Sequence, residues 1–319
     1  MNTMKKVVDK NDTSSKHPHN SKKFLLLGIG IFLAIFLLLP ITLSFFKVST
    51  ANIARIPIEG IITSNGESYL GQSTISSATI VEFIHEAEEN PIIEAIILEI
   101  NSPGGTPVGS DEIASAVKKA EKPVIAVIRE TGASGAYWIA SATDHIFANR
   151  MSITGSIGVV SSYLEFSGFM EKYGIGYERL VAGKYKDLGV PYKKLSTEEE
   201  QKMQMMLDKI HDFFIEEVSV NRKLEKSKVT KLATGEVFLG IEAVELGLVD
   251  QLGDLETAQE YLQDNYNLTE IETITYAHEK GLFDVLAGMS SSVSYRIGEG
   301  IGSVFLQTTE QKQSFMMIR

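Results

Sequence analysis

"IIEAIILEINSPGGTPVGSDEIASAVKK", residues 92–119, sets the architecture of this chain. Its first nine residues are almost continuously apolar, the pattern of a strand covered on both faces of its sheet. "SPGG" (102–105) breaks the run as a turn, and "GSDEIASAVKKAEK" (109–122) takes up helical periodicity. "PVIAVI" (123–128) is a second strand of the same kind. Strands alternating with helices at this spacing imply an α/β fold with largely parallel pairing.

The alternation continues on either side. Upstream, "IARIPIEGII" (53–62) reads as a strand and 64–75 as a Gly/Ser-rich loop. "SSATIVEFIHEAEEN" (76–90) reads as a helix capped by Ser76 or Ser77. Downstream, "DHIFAN" (144–149) and "SIGVVSSYLEF" (156–166) carry on the series. A long helix follows, opened by a Ser196-x-x-Glu199 capping box. Residues 233–258 alternate strand and helix with glycine turns. No Gly/Ser linker interrupts 51–280, which is expected to be one domain, with 281–319 a flexible C-terminal tail.

The N-terminal part is different. Residues 1–23 are polar and lysine-bearing, and 24–46, "FLLLGIGIFLAIFLLLPITLSFF", hold no charge. At 1.5 Å per residue these 23 residues reach about 34 Å, enough to cross a hydrocarbon core of about 30 Å. The run is too long for a cleaved signal, whose apolar part spans about 7–15 residues. Six lysines precede it, while only Lys47 and Arg55 follow closely, so the N-terminus is expected in the cytoplasm and the rest outside. The chain carries −11 overall, with +5 up to residue 47 and therefore −16 beyond. An acidic domain argues against nucleic acid as a partner. The lack of cysteine excludes disulfides and thiolate zinc sites.

Within the domain, "ETGASGAYWIASATD" (130–144) places Ser134 among small residues directly ahead of a helical stretch. A hydroxyl on such a corner is a candidate nucleophile, which needs a base, donors for an oxyanion, and room for substrate. His17 and His19 lie in the N-terminal tail, His278 in a late loop, and His85 and His211 inside amphipathic helices, where surface or packing roles are expected. His145 follows Asp144 but stands beyond the helix after Ser134, about 12 Å away along its axis, which is poor geometry for a triad. A lysine can serve instead once burial lowers its pKa from about 10.4 to about 7–8. "LVAGKYKDLGVPYKK" (180–194) offers Lys184 and Lys186 in what reads as an extended segment. Alternation puts both on one face, and a solvated surface role is open to each. For the oxyanion, the SPGG glycines Gly104 and Gly105 and the amide of Gly135 are candidates.

"INSPGG", "TGASGAYWIA", "ITGSIGVV" (153–160) and "GKYKD" follow one another in this order, and "GEVFLGIEAVELGLVDQLG" comes later. Together, over roughly 53–260, they resemble the membrane-anchored signal peptide peptidase A family, peptidase family S49. The resemblance implies a bacterial serine endopeptidase with a Clp protease/crotonase-like fold and a Ser-Lys dyad, working without metal or cofactor. Ser134 would be the nucleophile and Lys186, ahead of Asp187, the base. Ser156 would hold the lysine amine, and Gly104, Gly105 and Gly135 match the oxyanion-hole segments. Ala136 stands where many relatives have glycine, and is expected to narrow the cleft. Signal peptides and other unfolded peptides are the implied substrates. This short form holds serine and lysine in one unit, which implies a cyclic homo-oligomer in which Lys186 of one subunit serves Ser134 of the next. Rival readings are a related membrane protease acting on a membrane-protein partner, a crotonase-type acyl-CoA enzyme, and a non-catalytic scaffold.

Overall fold

The computed structural model describes residues 51–67, 74–266, 268 and 271–277. The N-terminal tail at 1–23, the expected membrane span at 24–46, His278 and the C-terminal tail at 281–319 lie outside the described residues. Among the described residues, no helix is long and apolar enough to cross a membrane.

The chain enters through β1 (Ile53–Glu59). Gly60, at φ 81°, turns it out of the main sheet into β2 (Ile61–Thr63), so the single strand expected over 53–62 is two. β2 pairs in parallel with β3 (Thr74–Ser76), which runs into α1 (Ser77–Glu89). Ser76 is the N-cap residue, but its hydroxyl donates to the Ser64 carbonyl (3.1 Å) and makes no capping bond. β4 (Ala95–Ser102), α2 (Pro107–Lys119) and β5 (Val124–Ala133) form the unit expected from 92–128. Thr106 caps α2 by accepting from the Gly109 amide at 3.3 Å, and Pro107 fills the first position, where no amide is missed. α3 (Gly135–Ser141), β6 (His145–Ala148) and β7 (Ile153–Gly155) follow.

The chain then makes α4 (Ser167–Lys172) and α5 (Thr197–Asn221). The predicted capping box is in place on α5: the Glu199 amide donates to Ser196 Oγ (3.3 Å), and the Ser196 amide to the Glu199 carboxylate (2.9 Å). α6 (Lys226–Leu232), β8 (Val237–Leu239), α7 (Gly240–Leu246), β9 (Gln251–Leu252), α8 (Leu255–Tyr266) and β10 (Thr273–Thr275) complete the described chain.

The main sheet runs β10-β1-β4-β5-β6-β9, parallel throughout. β5 is long enough to hold two partners on one side. Ile125–Ile128 pair with β6, and Thr131–Ala133 with β7, which takes β8 antiparallel. The apolar run of β4 is explained by its two faces. Ile96, Leu98 and Ile100 join a core with Ile113 of α2, Tyr137 of α3 and Phe214 of α5. Ala95 and Ile97 join a second with Phe147 and, from α8, Ala258 and Leu262. Each fully buried isoleucine contributes about 1.5–3 kcal/mol, which is why a sheet covered on both sides tolerates no polar alternation.

Two further expectations fail. "SIGVVSSYLEF" forms neither strand nor helix; the strand lies just upstream as β7, and beyond it Val160 is 87% exposed. Residues 180–194 are not extended: turns occupy 184–189, closed by Lys186 N–H to Gly183 O (3.1 Å) and Leu188 N–H to Tyr185 O (3.2 Å).

Candidate active site

β5 delivers Ser134 to the sheet's carboxyl edge, where the chain must turn from strand to helix within one residue. Ser134 takes φ 53°, ψ −126°, a conformation that costs a non-glycine residue about 1–3 kcal/mol. Two backbone bonds hold it there: its N–H donates to Gly155 O of β7 (2.8 Å), and its carbonyl accepts from Trp138 N–H of α3 (3.0 Å). Behind the corner, α3 is pinned by the Tyr137 hydroxyl donating to Leu248 O (2.9 Å). The Ser134 hydroxyl makes no capping bond to α3 and has no hydrogen-bond partner among the described residues.

The SPGG turn is pressed against this corner. Gly104, at φ 101°, would place a Cβ 2.9 Å from the Ser134 Cβ and 2.7 Å from the Gly135 nitrogen, so only glycine fits. The turn is tied to β2 by Ile62 N–H to Gly104 O (2.9 Å) and Thr106 N–H to Ile62 O (2.8 Å). Its two glycines then differ. The Gly104 amide donates to Ser102 Oγ at 3.1 Å, whereas the Gly105 and Gly135 amides have no acceptor among the described residues. Both border a cavity of about 130 Å³ beside Ser134, walled by Pro107, Trp138, Val159 and Phe214. Trp138 and Phe214 stack there at 5.0 Å.

A larger cavity, about 400 Å³, is also lined by Ser134. Ser156 lines it, itself at φ 51°, its N–H donating to Glu236 O (2.8 Å) and its hydroxyl to Gly235 O (3.4 Å). The structure thus brings Ser134, Ser156, Gly105 and Gly135 together. Ala136 is fully buried and lines neither cavity, so it does not narrow the cleft as expected.

The two lysines part company. The Lys184 ammonium pairs with Glu198 (2.5 Å), and that hydrogen bond, with Tyr185, holds its pKa above the ordinary lysine value. Lys186 is exposed, makes no side-chain hydrogen bond or ion pair among the described residues, and lines neither cavity. Its neighbour Asp187 is buried and gripped by Arg179 Nε (2.6 Å) and Nη2 (2.8 Å), with Lys193 at 3.4 Å. The Arg179 hydrogen bonds hold the Asp187 carboxyl well below the usual carboxylate range. Lys193 also reaches Glu199 (2.6 Å), so the turn carrying Lys186 is fastened to the capping box of α5.

Among the histidines, His145 stacks on Tyr261 (4.2 Å) and lines neither cavity, and His85 is exposed on α1. His211 departs from the surface or packing role expected of it: it lines the larger cavity, with Nε2 buried and without a partner among the described residues. The signal was present in the sequence. Leu207, Ile210, His211 and Phe214 share one face of a helix at three- and four-residue spacing, which places an imidazole in the stripe that faces the core.

Residues 116–269 match peptidase family S49. A Methanocaldococcus jannaschii protein named as a protease is 33% identical over 76% of this chain and 78% of its own length. An Enterococcus faecium protein named as a signal peptide peptidase is 34% identical over 72% of this chain and 68% of its own. A chloroplastic serine protease of Arabidopsis thaliana is 31% identical over 69% of this chain, which covers 34% of that protein. With a strained serine between two free amides and two cavities at the head of a parallel sheet, these likenesses agree: the chain belongs to peptidase family S49, that of the signal peptide peptidase A proteins, and is a protease.

Proposed function

We propose that the chain is a Ser-Lys endopeptidase, anchored by 24–46 with its N-terminus in the cytoplasm, that degrades signal peptides and other unfolded peptides outside the membrane. The observation that carries this is Ser134 itself: a hydroxyl on a strained corner, flanked by the amides of Gly105 and Gly135, all three without a partner among the described residues, and sharing a cavity with Ser156. Neutral Lys186 takes the Ser134 proton as Oγ attacks the peptide carbonyl. The amides of Gly105 and Gly135 stabilise the oxyanion, Gly104's amide being already committed to Ser102. Lys186 then gives its proton to the departing amine, and water, deprotonated by the same lysine, releases the acyl group. Of the two lysines, Lys184 is the poorer base, because Glu198 holds its proton. A Clp protease/crotonase-like arrangement suits the parallel sheet with helices on both faces.

Lys186 reaches Ser134 of a neighbouring subunit in a cyclic homo-oligomer. Supporting this, Lys186 lines neither cavity of its own chain, and the segment around it leaves Phe169, Tyr173 and Leu180 exposed. Head-to-tail contacts of this kind close into rings.

The test is cleavage of an unfolded peptide by wild type and by Ser134→Ala; full activity in the variant would overturn the reading. Mixing Ser134→Ala with Lys186→Ala after dissociation and reassembly tests the ring. Random pairing at equal stoichiometry restores about a quarter of the sites, and a co-assembled yet inactive mixture places both residues in one subunit. Protease added to protoplasts should digest the chain beyond residue 48 and spare an N-terminal tag.

A further inference from the structure

Of the two cavities lined by Ser134, the larger carries a carboxylate and the smaller does not. Among the described residues, Asp208 is the only aspartate, glutamate, lysine or arginine lining either one. It stands on α5 and is exposed, so its carboxylate is open to a group entering the cavity. Gln204 Nε2, one helical turn earlier, donates to Asp208 Oδ1 (2.7 Å) and so anchors the side chain at the wall. A carboxylate accepts several hydrogen bonds at once, which leaves Oδ2 for an arriving cation.

The smaller cavity, with the Gly105 and Gly135 amides and apolar walls, suits the carbonyl under attack and the acyl-side residue. Ser156 lines only the larger. The base that Ser156 holds must protonate the departing nitrogen, so the chain beyond that nitrogen lies in the larger cavity. Gly158, Val159 and Val160 border both, so an extended peptide along them places successive residues in the two. We infer that Asp208 selects the residue just after the scissile bond, pairing with a lysine or arginine there and repelling a glutamate or aspartate. Water and salt screen an exposed carboxylate, so Asp208 biases the choice without excluding neutral residues.

This rests on the Ser-Lys reading above, and the experiment separates the two. Peptides identical except for Lys, Gln or Glu just after the scissile bond are cleaved by the full-length protein in detergent, with Ser134→Ala as control. A fourth peptide moves the lysine four residues upstream, because the chain beyond residue 47 carries −16 and attracts cations generally. At low salt, wild type should favour Lys over Gln and Gln over Glu by about threefold each in kcat/KM. The order should flatten at about 1 M salt. Asp208→Asn should erase it, Asp208→Lys should reverse it, and Asp208→Glu, which keeps the charge, should preserve it. Cleavage abolished in Ser134→Ala but with no such order in wild type, an order that survives Asp208→Asn, or an equal gain from the upstream lysine overturns the inference and leaves the Ser-Lys reading intact. Equal loss on all four peptides in Asp208→Asn, with the order kept, also overturns it, since that marks a structural residue or one acting on the base. Absence of cleavage by wild type, or cleavage that persists in Ser134→Ala, overturns both.

Discussion

Around Ser134 the neighbouring residues are sealed: Ala133, Gly135, Ala136 and Tyr137 are all buried, and the backbone is fixed by strand pairing on one side and a helix on the other. In the segment from 158 to 194, by contrast, α4 buries none of its residues and Leu180 is 96% exposed. That segment is held instead by charges, Arg179 and Lys193 on Asp187 and Lys193 on Glu199. The serine corner is therefore positioned by packing, which is insensitive to pH and salt. The segment carrying Lys186 is positioned by ion pairs, which are not. The half that must be strained sits where the core can oppose the strain. Under the proposed ring, the half that reaches a second chain is the one that leaves Phe169, Tyr173 and Leu180 exposed.

The most damaging change should be Gly104→Ala. Its Cβ would meet the backbone of Gly135 and Ala133, at a φ only glycine adopts without cost. Peptide cleavage should fall by about 100-fold or more as the amides shift from the oxyanion, and denaturant unfolding should show about 1–3 kcal/mol of lost stability. A variant with wild-type activity would mean that the corner does not depend on this packing.

Asp187→Asn should cut more selectively. It removes the charge that Arg179 and Lys193 share, so cleavage should drop by about tenfold as the Lys186 turn loosens, with the thermal midpoint almost unmoved. An equal loss of global stability would show that the segment is part of the core after all.

The smallest effect is acid loosening. Arg179 depresses the Asp187 carboxyl, and Lys193 brings Glu199 down to about 2. Stabilisation from depressed carboxylates is complete above their unfolded values, near pH 4, and is lost as pH falls through the folded ones. Amide exchange over 179–199 should therefore quicken between about pH 4 and pH 2, while β4 and β5 stay protected. Simultaneous opening of strands and segment would erase the contrast.

How far each half can be read from the sequence follows the same division. β4, α2 and β5 are legible because burial on both faces writes an unbroken apolar run, and the Ser196–Glu199 box is legible because capping is local. The four residues brought together at the corner are all found from glycine placement and family likeness. The Lys186 turn is not legible, since Arg179 and Asp187 bind across eight positions with no periodicity to announce it. "SIGVVSSYLEF" misleads because its β-branched residues promise a strand, while its exposed valine and leucine find no sheet to join. His211 reads as a surface or packing residue because helical spacing puts it on an apolar stripe without telling that the stripe borders a cavity.

The most direct test of the account compares peptide cleavage by Lys186→Ala and Lys184→Ala, each checked for a wild-type thermal midpoint. Loss of activity in Lys186→Ala, with most of it retained in Lys184→Ala and wild-type activity rising through neutral to alkaline pH, is the expected result. Equal activity in the two variants, or an optimum near pH 5, would contradict it.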